Sequence, residues 1–340
     1  MTGIPPLATI LGCAGTKLTP GEINLFRHYN PLGLILFERN CNSPHQVAAL
    51  ATFFRELVGR EDAPVLIDQE GGRVTRLKPP HWRHPPPAGA FLEISQLQGI
   101  ECAKAAIRSN HRLIGSELLD CGITVNCAPV LDLPIEDADP IIGDRAFGID
   151  VTGVEALAGA ACAGLLESGV LPVIKHLPGH GRALVDSHLQ LPCVTASRRT
   201  LQQTDFEIFR RLADQSLGMT AHVIYNAVDE FRPATMSPTV ISEIIRGYIG
   251  FDGLLMSDDL SMKALTGELS EKTATALSAG CDLVLHCNGD EAEMTVVASA
   301  AAPLTDEAIR RWQHASCCIR DAVPIDCSVD LALLQELALN

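Results

Sequence analysis

The chain has 340 residues with 26 basic and 41 acidic side chains, and its formal net charge at pH 7 is −15. Hydrophobic residues make up 47% of the chain, which provides for a large core and excludes an intrinsically disordered protein. The negative charge disfavours nucleic acid as a partner, because such binding depends on clustered lysine and arginine. No apolar run approaches the roughly 18 residues that a membrane span needs, and the first residues lack the basic segment of a secretory signal. We therefore expect a cytoplasmic protein without membrane partners.

Twelve cysteines are scattered along the chain, several of them inside apolar segments. Because no export signal is evident, the expected compartment is reducing, and we expect free thiols that serve as small core residues. Their spacing does not resemble a zinc site or a redox pair. The sequence therefore indicates neither a metal nor a cofactor.

Eight short apolar runs, each bounded by turn residues, predict strands that are covered on both faces. In chain order they are 7–11, 32–37, 64–68, 123–130, 171–177, 217–224, 253–257 and 281–286.

Longer segments with helical spacing lie between these runs. Thr19, Pro20 and Glu22 are typical of a helix start, and Ser43 with Pro44 repeats the cap and the proline. The predicted helices end near residues 29 and 58, and the others cover 100–119, 153–167, 198–212, 238–248, 269–279, 291–300 and 306–322. This alternation predicts a single-domain TIM-type (β/α)8 barrel over residues 1–340, with the helices from about residue 291 packed on it. An open doubly wound sheet is the alternative.

The active sites of such barrels are built at the carboxyl ends of the strands. Polar side chains follow five of the predicted strands at that end, so their convergence predicts one site. They are Asp68, Glu70, Arg73 and Arg76 after the third strand, Asp132, Asp144 and Arg145 after the fourth, Lys175 and His176 at the end of the fifth, His222 after the sixth, and Asp258 and Asp259 after the seventh.

The densest group of reactive side chains lies between residues 173 and 192. Lys175 and His176 end a strand, and His180, Asp186 and His188 follow on a loop rich in proline and glycine. Asp186 precedes His188 by two positions, so its carboxylate can hold one ring nitrogen and leave the other for proton transfer. A metal site built from the three histidines and Asp186 is an alternative, although no metal-binding spacing supports it and Lys175 would repel a cation.

Asp258 and Asp259 end a buried strand. Because a carboxylate on a rigid strand end can act as a nucleophile, we assign that role to Asp258 and a supporting hydrogen-bond role to Asp259. Glycoside hydrolases use a carboxylate together with a separate proton donor. Here the donor would be a histidine rather than a second carboxylic acid.

Several segments resemble the bacterial β-N-acetylglucosaminidases of glycoside hydrolase family 3, of the NagZ type. The sequences are GLILFERN from residue 33, IDQEGGRV from 67, KHLPGHG from 175, DSH from 186, MTAHVI from 219, PATMS from 233 and SDDLSM from 257. The resemblance runs in the family's order from about residue 8 to residue 290.

The resemblance implies a retaining exo-enzyme in which Asp258 attacks the anomeric carbon and forms a covalent glycosyl-enzyme. His188, held by Asp186 on a mobile loop, would be the acid and then the base. The residues implied to bind the terminal sugar are Asp68, Arg76, Arg145, Lys175 and His176. The implied substrate is N-acetylglucosaminyl-1,6-anhydro-N-acetylmuramic acid, with or without its peptide, from peptidoglycan recycling.

Other functions remain open alongside this one. A β-N-acetylglucosaminide phosphorylase or a broader β-glucosidase would use the same machinery, and a catalytically silent sugar-binding barrel is a rival from another class. Two residues depart from the family pattern: Leu177 replaces the usual Phe, and Arg182 adds a cation to the loop, where we expect it to contact an acidic stem peptide. We expect a monomer or a weak homodimer.

Overall fold

The computed structural model describes residues 5–320 and 326–339. In this part of the chain, eight parallel strands close a barrel, each pairing with its neighbours in chain order and the eighth with the first. They are β1 (Leu7–Leu11), β2 (Pro31–Leu36), β3 (Val65–Ile67), β4 (Val125–Asn126), β5 (Leu171–Leu177), β6 (Leu217–Thr220), β7 (Leu254–Asp259) and β8 (Leu283–His286). The predicted TIM-type barrel is confirmed, and the open sheet is wrong.

Every barrel strand lies within or overlaps its predicted apolar run, and β1 and β5 have the predicted bounds. The largest difference is β4, which keeps two residues of the predicted 123–130. Pro129 lies in the lost part and has no N–H to donate to a ladder. The chain continues along β5 all the same, since Leu131 donates its N–H to the carbonyl of Lys175 at 2.7 Å.

The helices surround the barrel between these strands. They are α1 (Pro20–Tyr29), α2 (Pro44–Val58), α3 (Ala88–Gln98), α4 (Ile100–Asp120), α5 (Val151–Glu167), α6 (Arg198–Gln203), α7 (Asp205–Arg211), a π-helix (Val240–Tyr248), α8 (Leu269–Ala279), α9 (Glu291–Ala300), α10 (Asp306–Arg320) and α11 (Ser328–Glu336). Helices α3 and α11 were not predicted. Residues 321 and 322 of the predicted last helix lie outside the described residues.

The helix predicted over 198–212 is broken in the structure. Thr204 separates α6 from α7 with a non-helical backbone, φ −130° and ψ −89°. Its hydroxyl lies 2.8 Å from the carbonyl oxygen of Thr200 and 2.7 Å from a carboxylate oxygen of Asp205. Such local side-chain bonds compete with regular helix, which explains the break.

A small three-stranded sheet lies outside the barrel. Cys193–Val194 pairs in parallel with Ile224–Tyr225, which pairs antiparallel with Asp229–Pro233. The first of these strands follows the loop after β5, and the second follows β6. The sheet therefore ties together two loops that lie at the carboxyl end of the barrel.

Helix α10 covers the opposite end of the barrel. Trp312 is only 6% exposed and packs in one apolar cluster with Ala308 and Ala315 of its own helix. The same cluster contains the first residues of barrel strands, among them Leu171 and Leu217. The amino-terminal end of the barrel is therefore closed by apolar packing.

We expect Trp312→Ala to lower the free energy of unfolding by about 3 to 5 kcal/mol, because it leaves a cavity under the barrel. The matched control is Phe231→Ala, since Phe231 is 80% exposed and should change stability by no more than about 0.5 kcal/mol. Urea unfolding of both variants measures the difference. Equal losses in the two variants would contradict the role given to α10.

Six of the twelve cysteines are buried, as expected for small core residues, and no disulfide joins any pair within the described residues. Burial raises the pKa of the Cys13 thiol to about 12, with a further contribution from Glu22, so this thiol is un-ionised at neutral pH. None of the helices in residues 5–320 and 326–339 has both the length and the apolar character needed to cross a membrane.

Candidate active site

A cavity of about 350 Å³ opens at the carboxyl ends of the barrel strands. Seven of the eight residues that the sequence predicted for the site line this cavity. They are Asp68, Arg76, Arg145, Lys175, His176, His188 and Asp258. The eighth, Asp186, is bonded to His188. The fold therefore brings together residues from β5, β7 and the loops after β3, β4 and β5, as the barrel prediction requires.

Lys175 is the centre of a buried charge network on one side of the cavity. Its Nζ lies 3.0 Å from Asp68 Oδ1 and 2.7 Å from Glu70 Oε1. Arg145 binds both oxygens of Glu70 at 2.8 Å, and Arg76 lies 3.2 Å from the other oxygen of Asp68. Such bidentate, multiply bonded pairs hold their side chains in one geometry.

The network keeps its charges at neutral pH. Burial by itself raises the pKa of Glu70, but Arg145 and Lys175 outweigh burial and hold it far below its ordinary value. Asp68 shows the same balance, with Lys175 and Arg76 lowering its pKa. Burial alone would lower the pKa of Lys175, yet Asp68 and Glu70 raise it. The cavity is therefore lined by fixed carboxylates and cations that can hydrogen-bond a polyhydroxylated ligand.

Glu70 was seen in the sequence only as one polar residue among others after β3, and no role was assigned to it. We expect Glu70→Gln to lower the free energy of unfolding by about 3 kcal/mol at pH 7, because it leaves Lys175 and Arg145 buried with one carboxylate fewer. The pKa of Glu70 is depressed in the folded protein, so its stabilisation is complete above its ordinary pKa of 4.5 and is lost as the pH falls below that value.

The difference in stability between wild type and Glu70→Gln should therefore shrink as the pH falls from 5 toward 3. Urea unfolding across this range measures it. Glu61→Gln, at an exposed position, is the control and should differ from wild type by no more than about 0.5 kcal/mol. A gap that grows on acidification would contradict the charge assignment.

Asp258 lies at the end of β7 and faces the cavity. Its Oδ1 accepts the backbone N–H of Asp259 at 2.8 Å. Burial raises its pKa, but His222, His176, the Asp259 N–H and Lys175 together outweigh burial, so the net pKa is lowered. Asp258 is therefore an ionised carboxylate at neutral pH, as a nucleophile must be.

Asp259 fixes the end of the same strand and has the hydrogen-bonding role predicted for it. Its Oδ1 accepts backbone N–H groups from Ser261 at 3.0 Å and from Cys287 at 3.2 Å. Its carbonyl oxygen accepts from Nε2 of the buried His222 at 3.0 Å. These bonds tie β7 to the loops after β6 and β8, which limits movement of the neighbouring Asp258.

The loop after β5 carries Asp186 and His188, and the predicted pairing of the two is present. Asp186 Oδ1 accepts the backbone N–H of His188 at 2.8 Å and lies 2.8 Å from the ring Nδ1. Because a carboxylate oxygen accepts, Nδ1 carries the proton, and Nε2 is left for exchange with a ligand. The His188 side chain is 57% exposed at the mouth of the cavity.

Asp132, after β4, is a buried acid whose role the sequence did not reveal. Its Oδ2 lies 2.7 Å from Nδ1 of His176, and its Oδ1 accepts the backbone N–H of His180 at 2.6 Å. Burial raises the pKa of Asp132, but His176 and His180 outweigh burial, so the net pKa is lowered and the carboxyl group is ionised. One carboxylate therefore orients a predicted sugar-binding residue and the start of the loop after β5.

The four residues of the metal alternative have different partners in the structure. His176 faces Asp132, His188 faces Asp186, and Nε2 of His180 lies 2.9 Å from the Ser187 hydroxyl. Within residues 5–320 and 326–339, no three His, Cys, Asp or Glu side chains are grouped as metal ligands would be.

Arg182 has two hydrogen-bond partners within the protein. Its Nε lies 2.6 Å from Asp205 Oδ2, and one terminal nitrogen donates to Thr204 Oγ1 at 3.1 Å. Asp205 is buried, so it needs this cation as a partner. The guanidinium is therefore held at the start of α7, and its contact with an acidic stem peptide stays a prediction.

Known proteins are similar to this chain over most of its length. The model of the glycosyl hydrolase family 3 N-terminal domain matches residues 12–313. The chain is 41% identical over 292 residues to a beta-hexosaminidase of Alkalilimnicola ehrlichii, which covers 85% of this chain and 82% of the relative. It is 38% identical over 287 residues to a beta-hexosaminidase of Methylococcus capsulatus, with 83% of each chain covered.

Two solved structures share the fold over nearly their whole length. NagZ from Neisseria gonorrhoeae, in complex with N-trifluoroacetyl-D-glucosamine, has a TM-score of 0.85 and 30% identity, with 100% of this chain and 96% of that chain covered. Beta-N-acetylhexosaminidase from Beutenbergia cavernae has a TM-score of 0.79 and 26% identity, with 91% and 96% covered.

Proposed function

The chain belongs to glycosyl hydrolase family 3 and is a glycoside hydrolase of the β-hexosaminidase type, and we propose that it removes terminal N-acetylglucosamine with retention of configuration. The observation that carries the proposal is the pairing of an ionised carboxylate, Asp258, with an aspartate-held imidazole, His188, at one cavity. Retention requires a nucleophile and a separate proton donor that later serves as a base.

In the first step Asp258 attacks the anomeric carbon, and the bond from that carbon to the leaving oxygen breaks. His188 Nε2 gives its proton to the leaving oxygen, so the product leaves as a neutral alcohol. In the second step the neutral imidazole removes a proton from water, which attacks the anomeric carbon and releases Asp258. Asp186 keeps the ring in the same orientation in both steps and stabilises the imidazolium.

The charge network around Lys175 would bind the hydroxyl groups of the terminal sugar. Asp68 can accept from hydroxyls, while Lys175, Arg76 and Arg145 can only donate to them. His176, oriented by Asp132, completes the predicted set. Because every one of these groups is already held by a partner, the sugar would meet a preorganised surface and little binding energy would be lost to ordering.

We further propose that the substrate is N-acetylglucosaminyl-1,6-anhydro-N-acetylmuramic acid, with or without its peptide, and that the enzyme works in peptidoglycan recycling in the cytoplasm. The similarity to the NagZ structure from Neisseria gonorrhoeae supports this substrate, since its ligand there is an N-acylated glucosamine. The free cysteines fit a reducing compartment. We propose a monomer or a weak homodimer, with no nucleic acid or membrane partner.

Proton NMR of the reaction, with and without phosphate, tests the proposal. The disaccharide should release the β-anomer of free N-acetylglucosamine before mutarotation, and the corresponding glucoside should react far more slowly. An initial α-anomer would overturn the retaining mechanism. Accumulation of sugar 1-phosphate would instead identify a phosphorylase, and equal turnover of the glucoside would identify a broader β-glucosidase.

A further inference from the structure

The turn that carries the proton donor has few attachments to the barrel. The chain is anchored ahead of the turn at Gly181 and Ala183. Their carbonyl oxygens accept the backbone N–H groups of Ile135 at 3.2 Å and Asp139 at 2.8 Å, respectively. After the turn, the chain enters the small sheet at Cys193–Val194. Residues 184–191 lie between these anchors, and two of them, Leu184 and Leu189, are more than half exposed.

Within the described residues, one hydrogen bond joins segment 184–191 to the chain outside it. Ser187, between Asp186 and His188, is buried and places its hydroxyl 2.9 Å from Nε2 of His180. The other bonds of the segment are internal: Asp186 accepts the backbone N–H groups of His188, Leu189 and Gln190 and the Nδ1–H of the His188 ring. Among hydrogen bonds, the turn is therefore attached to the barrel through one side chain.

His180 is itself firmly placed. It is only 4% exposed, and its backbone N–H donates to the buried carboxylate of Asp132 at 2.6 Å. Its ring Nδ1 is buried and finds no partner within the described residues, so the ring makes its one hydrogen bond to Ser187. Burial lowers the pKa of His180 to about 4, which leaves the ring neutral at neutral pH.

We infer that His180 is a positioning residue for the reaction: by holding the Ser187 hydroxyl, it keeps the Asp186–Ser187–His188 turn in place and the His188 imidazole over the cavity. Ser187 faces inward while its neighbour His188 is largely exposed, so the Ser187–His180 hydrogen bond is the polar attachment of the turn to the barrel in the described residues. The inference rests on the proposed role of His188 as proton donor.

Loss of the Ser187–His180 hydrogen bond should have a moderate effect on the rate, and the size of the effect should depend on the leaving group. Loss of a neutral hydrogen bond that leaves a buried partner unsatisfied corresponds to roughly a tenfold change in rate or binding. The loss should appear where proton donation limits the reaction, which is with a poor leaving group such as 4-methoxyphenol. It should be small with 2,4-dinitrophenol, whose departure needs no proton.

The experiment measures kcat/KM of Ser187→Ala, His180→Phe and the double variant on the 4-methoxyphenyl and 2,4-dinitrophenyl N-acetyl-β-glucosaminides. We expect each single variant to lose about tenfold on the first substrate and much less on the second, and the double variant to be no worse than either single one. Ser187→Thr, which keeps the hydroxyl, should retain most of the activity.

Additive losses in the double variant, equal losses on both substrates, or wild-type activity of Ser187→Ala would each overturn the inference. The comparison of Ser187→Ala with Ser187→Thr remains decisive even where His180→Phe fails to fold. Leu184→Ala is the matched control, because Leu184 lies on the same segment and is 60% exposed. A His188→Ala enzyme assayed alongside separates the two failures, since its activity on the 4-methoxyphenyl substrate would refute the proposed function itself.

Discussion

Asp258→Ala is expected to lower kcat/KM for p-nitrophenyl N-acetyl-β-glucosaminide by about 10⁴-fold, which corresponds to about 5 kcal/mol of transition-state stabilisation. The reason is that the methyl group cannot form the covalent intermediate, and the positive charge developing at the anomeric carbon loses its facing carboxylate. Steady-state kinetics of the purified variant measure the loss. The variant should still fold, because Asp258 Oδ1 accepts only the N–H of Asp259 in the described hydrogen-bond network.

Added azide provides a second test of Asp258 as the nucleophile. The space left by the carboxylate would admit a small anion, which can attack from the face that Asp258 occupied and give an α-glycosyl azide. Appearance of that product, with partial recovery of the rate, would identify the nucleophile by its position. Asp120→Ala, at an exposed helix end, is the control and should behave as wild type with or without azide. Full activity of Asp258→Ala would refute the assignment.

His188→Ala should show the second-largest effect, a loss of about 10² to 10⁴-fold on the 4-methoxyphenyl substrate. Without the imidazole, the leaving group must depart as an anion, so the loss should decrease steadily as the pKa of the leaving phenol falls. A plot of log kcat/KM against that pKa should therefore become steeper than in wild type. A loss that is the same for every leaving group would show that His188 binds substrate and does not donate a proton.

Asp186→Asn provides the matched comparison for this prediction. An amide at this position still accepts the backbone N–H of His188 but offers no negative charge to the ring. We expect an intermediate loss with the same dependence on the leaving group, because the imidazolium is less stabilised while the ring remains in place. A loss larger than that of His188→Ala would contradict the positioning role of Asp186.

The strands of the barrel were predictable because each is a short apolar run that must be buried on both faces. The positions of Asp68, Lys175 and Asp258 followed from these strands, since the carboxyl ends of parallel strands meet at one rim. The proton-transfer pair Asp186 and His188 was predictable for a different reason. Its geometry is local, two residues apart, and does not depend on the rest of the fold.

The partners of the charged residues were not predictable in the same way. Glu70 and Asp132 follow strands that the sequence located. Their partners lie on β5 and in the loop after β4, and packing across the barrel decides which of these side chains meet. Arg182 was expected to face substrate because it belongs to the catalytic loop. Its partner in the structure, Asp205, lies beside the break at Thr204, which the apolar spacing of residues 198–212 does not reveal.

The closure of the barrel has a consequence for how the chain folds. Leu11 pairs with His286, so the first strand has its second neighbour only once the last strand has joined the sheet. Until then β1 presents an open edge, and the apolar surface that Trp312 later covers is exposed to solvent. Contacts so distant in sequence form slowly, and partly folded chains of this kind are prone to associate. A chain truncated ahead of β8 should therefore aggregate rather than fold into a smaller barrel.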